Sequence, residues 1–379
     1  MPPKKILTPL QLGPYRLRSR VFMAPLTRMR AGERNVPTEM NVEYYRQRAS
    51  AGLIVTEATP VSPSGHGYVH TPGIHTEEQR DGWRPITKAV HEAGGVIFQQ
   101  LFHAGRLSHP DLQPGGVLPV APSAIRPSGV SPTYSGPKER VTPRALEAGE
   151  MAGVIDEFRR AALLSLEAGF DGVEIHSANG YLPDEFLNSG SNHRTDEWGG
   201  PVENRARFLL EITDAAIGVW GASRVGVRLS PSNIVGDIED ADRPATYSYA
   251  VRKLNERGVS YVHIVSPRVQ DNEDIVTTLP LGPERFRPLL TGETRLIAAG
   301  GYQPADAEDL IQSGHADAVA FGRWFIANPD LPLRIELDAV LNRCDRSTFY
   351  GGTEKGYTDY PTLSSAKIAS VSEGVCHAA

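Results

Sequence analysis

Residues 172–181 read Gly-Val-Glu-Ile-His-Ser-Ala-Asn-Gly-Tyr, and the alternation inside that string decides the architecture. Successive side chains of a strand point to opposite faces. Val173 and Ile175 therefore share one face and Glu174 and His176 the other, before Asn179-Gly180 turns the chain. Upstream, Met151, Val154, Ile155, Phe158, Ala162 and Leu166 recur at three- and four-residue steps, the apolar stripe of a helix. Downstream, Phe208, Ile212, Ala215 and Val219 repeat that pattern. A short β-branched run between two amphipathic helices is the repeating unit of a parallel sheet with crossover helices.

Runs of the same kind lie at 21–25, 53–57, 96–101, 172–176, 225–229, 261–265, 295–299 and 318–321. Eight βα units predict an α/β fold, a (β/α)8 TIM barrel spanning residues 1–379 as a single domain. Such a barrel needs about 250 residues, so the rest must be additions. Residues 1–20 read as a hairpin with Leu12-Gly13-Pro14 at its turn, a lid across the barrel's floor. Residues 107–143, with eight prolines and no helical period, form a long excursion between the third strand and the third helix, a wall or lid over the mouth. Residues 362–379 read as a flexible tail. Thr76 with Gln79 resembles a capping box, Asn328 before Pro329 and Asp330 suits a helix start, and Gly314 suits a helix stop.

Of the 379 residues, 40% are hydrophobic and 22% charged, the balance of a globular protein with a sizeable core. A net charge of −6 without long single-sign runs offers no footprint for nucleic acid or an anionic membrane. No segment reaches the roughly 20 apolar residues of a membrane span. Met1-Pro2-Pro3-Lys4-Lys5 is not followed by the apolar stretch of a secretory signal. Cys344 and Cys376 are too few for a disulfide framework and lack metal-ligand spacing, so a cytoplasmic protein without a bound metal is expected.

Active sites of such barrels sit at the carboxyl ends of the strands. Strand parity sends His176 into the lumen at that rim, together with Arg228 of the fifth strand and Gln100 of the third. A single inward polar residue is better explained by a satisfied core network. Three at one mouth favour a ligand site, because each needs a polar partner to offset its desolvation. Gly300-Gly301 follows the seventh strand and Gly322-Arg323 the eighth, where this fold recurrently binds phosphate. A glycine pair alone makes a turn, but beside the forked cation of Arg323 it points to a phosphate-bearing cofactor.

The chain resembles the Old Yellow Enzyme family of FMN-dependent reductases from residue 7 to 361. The resemblance rests on Ala24-Pro25-Leu26-Thr27, Thr56-Glu57-Ala58-Thr59, Gln100-Leu101-Phe102-His103-Ala104-Gly105-Arg106, Glu174 through Tyr181, Asn192-His193-Arg194-Thr195-Asp196, Glu203-Asn204-Arg205, Ala320-Phe321-Gly322-Arg323 and Gly356 through Pro361. It implies non-covalent FMN, with Pro25, Thr27, Ala58 and Gln100 along the ring and Arg228 near its N1 and O2. Gly301, Gly322 and Arg323 would hold the phosphate, and Phe349 and Tyr350 would close over the ring. Threonine at 27, where another branch carries cysteine, is similar to the yeast and plant enzymes.

The resemblance further implies an ene-reductase of the 12-oxophytodienoate reductase kind. NADPH, or NADH, reduces the flavin; hydride then passes from flavin N5 to the β-carbon of an enone or enal. His176 and Asn179 would hold the carbonyl, Tyr181 would protonate the α-carbon, and Phe102 and Tyr350 would shape the pocket. Many relatives carry histidine where Asn179 stands and tryptophan where Phe102 stands, so the pocket is individual. The same site would also reduce nitroesters or nitroaromatics, which the sequence does not separate from enones. A flavin-binding protein without turnover would be expected to have lost Tyr181 or the His176–Asn179 pair. A lysine-dependent aldolase finds no lysine at these strand ends. Monomer and homodimer both remain open.

Overall fold

A computed structural model describes residues 4–266, 269–270, 273–274 and 281–363. All eight expected strands form: β1 (Val21–Met23), β2 (Ile54–Val55), β3 (Ile97–Phe102), β4 (Gly172–Ser177), β5 (Val225–Leu229), β6 (Tyr261–Val265), β7 (Arg295–Ala299) and β8 (Ala318–Phe321). They run parallel in the order β4-β5-β6-β7-β8-β1-β2-β3, and β3 pairs with β4 to close the barrel. Parity holds. Val173, Ile175, Val225, Val227 and Leu229 join an outer apolar layer with Phe158, Phe208 and Ile212 of the surrounding helices. Each such side chain contributes roughly 1.5–3 kcal/mol on burial.

The lumen has its own apolar floor of Phe22, Leu53, Val55, Phe98, Tyr261 and Ile297. The hairpin of Leu10–Leu12 and Tyr15–Leu17 seals this floor, with Leu10, Leu12 and Leu17 buried in the same cluster. Large rings fit in so narrow a lumen because the neighbouring strands carry glycine. A Cβ on Gly172 would lie 2.5 Å from the Phe98 ring, and one on Gly226 2.2 Å from the Tyr261 ring.

Helix ends follow local chemistry. In the helix Glu77–Glu92 the Thr76 hydroxyl accepts from the Gln79 amide at 3.2 Å, completing the expected box. Gly314 stands at φ +77°, the left-handed conformation that stops the helix Pro304–Gln312. The start expected at Asn328 is corrected: Asp330 stands at the N-cap position of the helix Leu331–Glu336, its carboxylate accepting from Arg334 and not from the first turn's amides. The Asn328 side chain is engaged elsewhere, donating to the Trp324 and Asn342 carbonyls at 2.9 and 3.2 Å.

Two apolar faces also shift. In the helix Met151–Glu167, Leu166 is 40% exposed, while Ser165 is buried and donates to Gln99 Oε1. In Arg207–Trp220 the buried alanine is Ala216, with Ala215 and Val219 at the margin. A period of about 3.6 residues moves the inward position away from a strict four-residue step.

The 107–143 excursion contains a hairpin, Val130–Thr133 with Gly136–Glu139, at one side of the mouth. The segment 120–121 pairs with 144–145 and ties the excursion's base to the body. The expected tail lies outside the described residues from 364 onward, as does most of segment 268–282. Among the described residues no helix is long and apolar enough to cross a membrane.

Replacing Gly226 with alanine should lower stability by about 1–3 kcal/mol, because the lumen ring cannot move aside. Gly218→Ala, on an open helix surface with nothing within 4 Å of the added Cβ, should be neutral or stabilising. Urea unfolding of both variants checks the contrast; equal effects would contradict the lumen packing.

Candidate active site

The strands' carboxyl ends open into a cavity of about 1000 Å³. Pro25, Thr27 and Ala58 line one wall, and Gln100, His176 and Arg228 rise from the barrel beneath. Strand ends, which are rigid, supply the base of the cavity, and loops supply the rest of its lining.

The polar groups at its base come from four adjacent strands, β3 to β6. Register pairs His176 of β4 with Arg228 of β5, and Arg228 with His263 of β6. Below them Glu174 is fully buried. One carboxylate oxygen accepts from Gln100 Nε2 at 2.7 Å, and the other meets His263 Nδ1 at 2.8 Å. Burial opposes the Glu174 charge, yet His263, Arg228 and Gln100 hold its carboxyl below the usual range. Arg228 is 9% exposed, and its Nε and Nη1 have no hydrogen-bond partner. His176, at 4% exposure, likewise leaves Nδ1 without a partner. Burial, then the Arg228 charge and the neighbouring His263, push its pKa well below that of a free imidazole. His176 is thus a neutral ring at physiological pH, carrying one N–H.

A tight turn after β4 presents the next two groups. Asn179 sits at φ +60°, a conformation that asparagine tolerates better than most residues, and Gly180 follows at φ +82°. The turn is tied down from both sides. The Asn179 amide donates to Ser230 Oγ at 2.7 Å and the Gly180 amide to Asp184 Oδ2 at 2.9 Å. Asp184 is itself held by the Tyr247 hydroxyl at 2.7 Å.

Tyr181 then projects into the cavity, its ring 4.9 Å from that of His176 and 4.5 Å from Phe102. Its hydroxyl lies 2.7 Å from that of Tyr68. Burial and the Tyr68 phenol raise the Tyr181 pKa well above its ordinary value, so the phenol keeps its proton. Phe102, expected in the substrate pocket, is buried behind this pair at 1% exposure and packs on both rings without lining the cavity.

At the far end Gly301, Gly322 and Arg323 come together along the cavity after β7 and β8. Gly300 and Gly301 adopt φ +113° and +74°, and a Cβ on Gly300 would meet the Ser266 carbonyl at 2.6 Å. Phe349 and Tyr350 also line the cavity, brought there by buried arginines. Arg28 donates to the carbonyls of Phe349 (2.9 Å) and Gly356 (2.7 Å), and Arg30 to that of Thr353 at 3.0 Å.

This geometry agrees with what the comparisons find. The model of the NADH:flavin oxidoreductase / NADH oxidase family matches residues 5–342. The chain belongs to the Old Yellow Enzyme family. It is 47% identical to 12-oxophytodienoate reductase 1 of Oryza sativa subsp. japonica over 363 residues, covering 94% of this chain and 93% of that protein. Among solved structures, morphinone reductase superposes with a TM-score of 0.91 at 47% identity, covering 97% of this chain and 98% of that one. The Old Yellow Enzyme homologue from Zymomonas mobilis also gives 0.91, at 42% identity, covering 95% and 100%.

The family binds FMN, and the residues present fit that group. The unpartnered Arg228 N–H groups suit a ring edge rich in acceptors, and the glycine-lined end with Arg323 suits a phosphate. Two members of the site escaped the sequence reading. His263 was accessible to the parity rule, since Val262 and Ile264 face outward. Tyr68 lies in an irregular loop where no periodicity points to it.

Because His176 is neutral, the affinity of the FMN-loaded protein for cyclohexenone should show no step between about pH 5 and 8. Binding titrations followed by flavin absorbance test this. A transition near the free-imidazole value would contradict the burial argument.

Proposed function

We propose that this chain is an ene-reductase, reducing the C=C bond of α,β-unsaturated carbonyl compounds at the expense of a reduced nicotinamide. The observation that carries the reading is geometric: the His176 and Tyr181 rings stand 4.9 Å apart on one wall of the cavity, with Asn179 between them in sequence and Arg228 in the base, and burial favours the uncharged form of both rings. Bound FMN would supply a two-electron hydride carrier, taking its electrons from NADPH or NADH. The morphinone reductase to which the chain is similar has been solved with tetrahydroNAD, which supports a nicotinamide as donor.

The chain's own groups then have separate tasks. His176 and Asn179 donate hydrogen bonds to the carbonyl oxygen and stabilise the negative charge that develops there as the β-carbon receives hydride. Tyr181 gives its phenolic proton to the α-carbon as general acid. A phenol whose pKa is raised by burial is a weaker acid than a free one. The Tyr68 hydroxyl, 2.7 Å away, is within reach to return a proton to the phenolate left behind. Arg228 supplies a fixed cation at the cavity base. Nitro compounds engage the same donors, but their reduction does not require a proton delivered to carbon.

The anaerobic test is direct. The purified protein should carry or take up yellow FMN, bleach with NADPH or NADH, and regain its colour with cyclohexenone. Protein that takes up no FMN, or that bleaches but is reoxidised by no enone, would overturn the proposal. Tyr181→Phe should slow reoxidation by enone at least about a hundredfold, in the range of general-acid contributions. Flavin reduction and turnover of a nitroaromatic should remain near normal; stopped-flow measurement of both half-reactions separates these outcomes.

A further inference from the structure

Two residues below the cavity-lining His176, the lumen holds a charge for which the proposed reaction has no direct use. Glu174 is 0% exposed, and both of its oxygens are engaged, by Gln100 at 2.7 Å and His263 at 2.8 Å. Neither partner cancels its charge. Gln100 is an amide, and burial keeps His263 below the usual imidazole pKa despite the carboxylate beside it. The other fixed charge of the lumen is Arg228, one strand away, whose Nε and Nη1 have no partner. Glu174 is the acid that acts on Arg228 most strongly. Its oxygens are nonetheless committed to other donors. The pair is thus close enough to interact through a dry medium and arranged so that the guanidinium N–H groups stay available to a ligand.

We propose that Glu174 is the electrostatic counterweight to Arg228, and that it sets the reduction potential of the flavin held in the cavity. The inference rests on the reading that FMN occupies the cavity with Arg228 against it. Two-electron reduction adds negative charge to the ring. Arg228 favours that charge and Glu174 opposes it, through a protein interior that screens far less than water. With Arg228 alone the reduced form would be too stable to give up hydride readily. With Glu174 present, the potential is drawn down toward a value at which both half-reactions run.

Glu174→Gln removes the charge and keeps the shape and an acceptor oxygen. Dye-equilibrated titration of the FMN-loaded protein should show a higher midpoint potential, with the reduced form favoured about tenfold, or about 30 mV for a two-electron couple. Reduction by NADPH should be faster and reoxidation by cyclohexenone slower. A merely structural role would slow both. Glu174→Met removes the same charge without an acceptor and should shift the potential in the same direction; it decides the matter if the glutamine variant does not accumulate. Glu174→Asp retains the charge and should leave the potential near wild type. An unchanged or lowered potential in the charge-removing variants, or an equal shift in Glu174→Asp, would overturn the proposal. Failure of the wild-type protein to bind FMN would instead overturn the reading of the cavity itself.

Discussion

Everything in this protein depends on the closure of one parallel sheet. The last strand hydrogen-bonds to the first: the Val319 amide donates to the Arg20 carbonyl and the Ala24 amide to that of Phe321, each at 3.0 Å. Closure removes both edges of the sheet and forces every strand to end on the same rim. Pro25, Gln100, His176, Arg228, Gly301 and Gly322 lie far apart in sequence, yet they line one cavity because each stands at or just beyond a strand's carboxyl end. Closure also creates a lumen with two regimes. Its floor is filled by Phe22, Phe98 and Tyr261 and sealed by the amino-terminal hairpin, whereas its upper layer is polar.

That upper layer is where desolvation becomes useful chemistry. The same burial that pushes His176 to its neutral form holds the Tyr181 phenol in its protonated form. Both shifts yield hydrogen-bond donors without net charge. Arg228 keeps its positive charge because a guanidinium has a far higher starting pKa. The site therefore presents neutral donors on one wall and a fixed cation at its base, a separation suited to a substrate that gains negative charge only as it reacts.

Much of this was legible in the primary structure. Strand identity and parity followed from the alternation of Val173 and Ile175 with Glu174 and His176, because a barrel strand has one lumenal and one helical face. Capping by Thr76 and the stop at Gly314 were equally readable, since both are made by side chains or backbone angles within a few residues. Asn328 was misread because its amide serves carbonyls brought near by the fold. Phe102 was misplaced by one layer, since a residue at a strand's end faces the cavity or the packing behind it according to the rings around it. Tyr68 gave no signal at all, because its loop has no period to read.

Taken by itself, the sequence determined the barrel, the rim on which the site stands and the identity of most groups in it. These depend on local periodicity and on where each strand ends. Tertiary structure alone decided the ionisation of His176, the hydrogen bond between Tyr68 and Tyr181, and the confinement of Glu174 between Gln100 and His263. The physical reason is that a charge state or a hydrogen bond is set by desolvation and by neighbours from other strands, and neither exists until the sheet has closed.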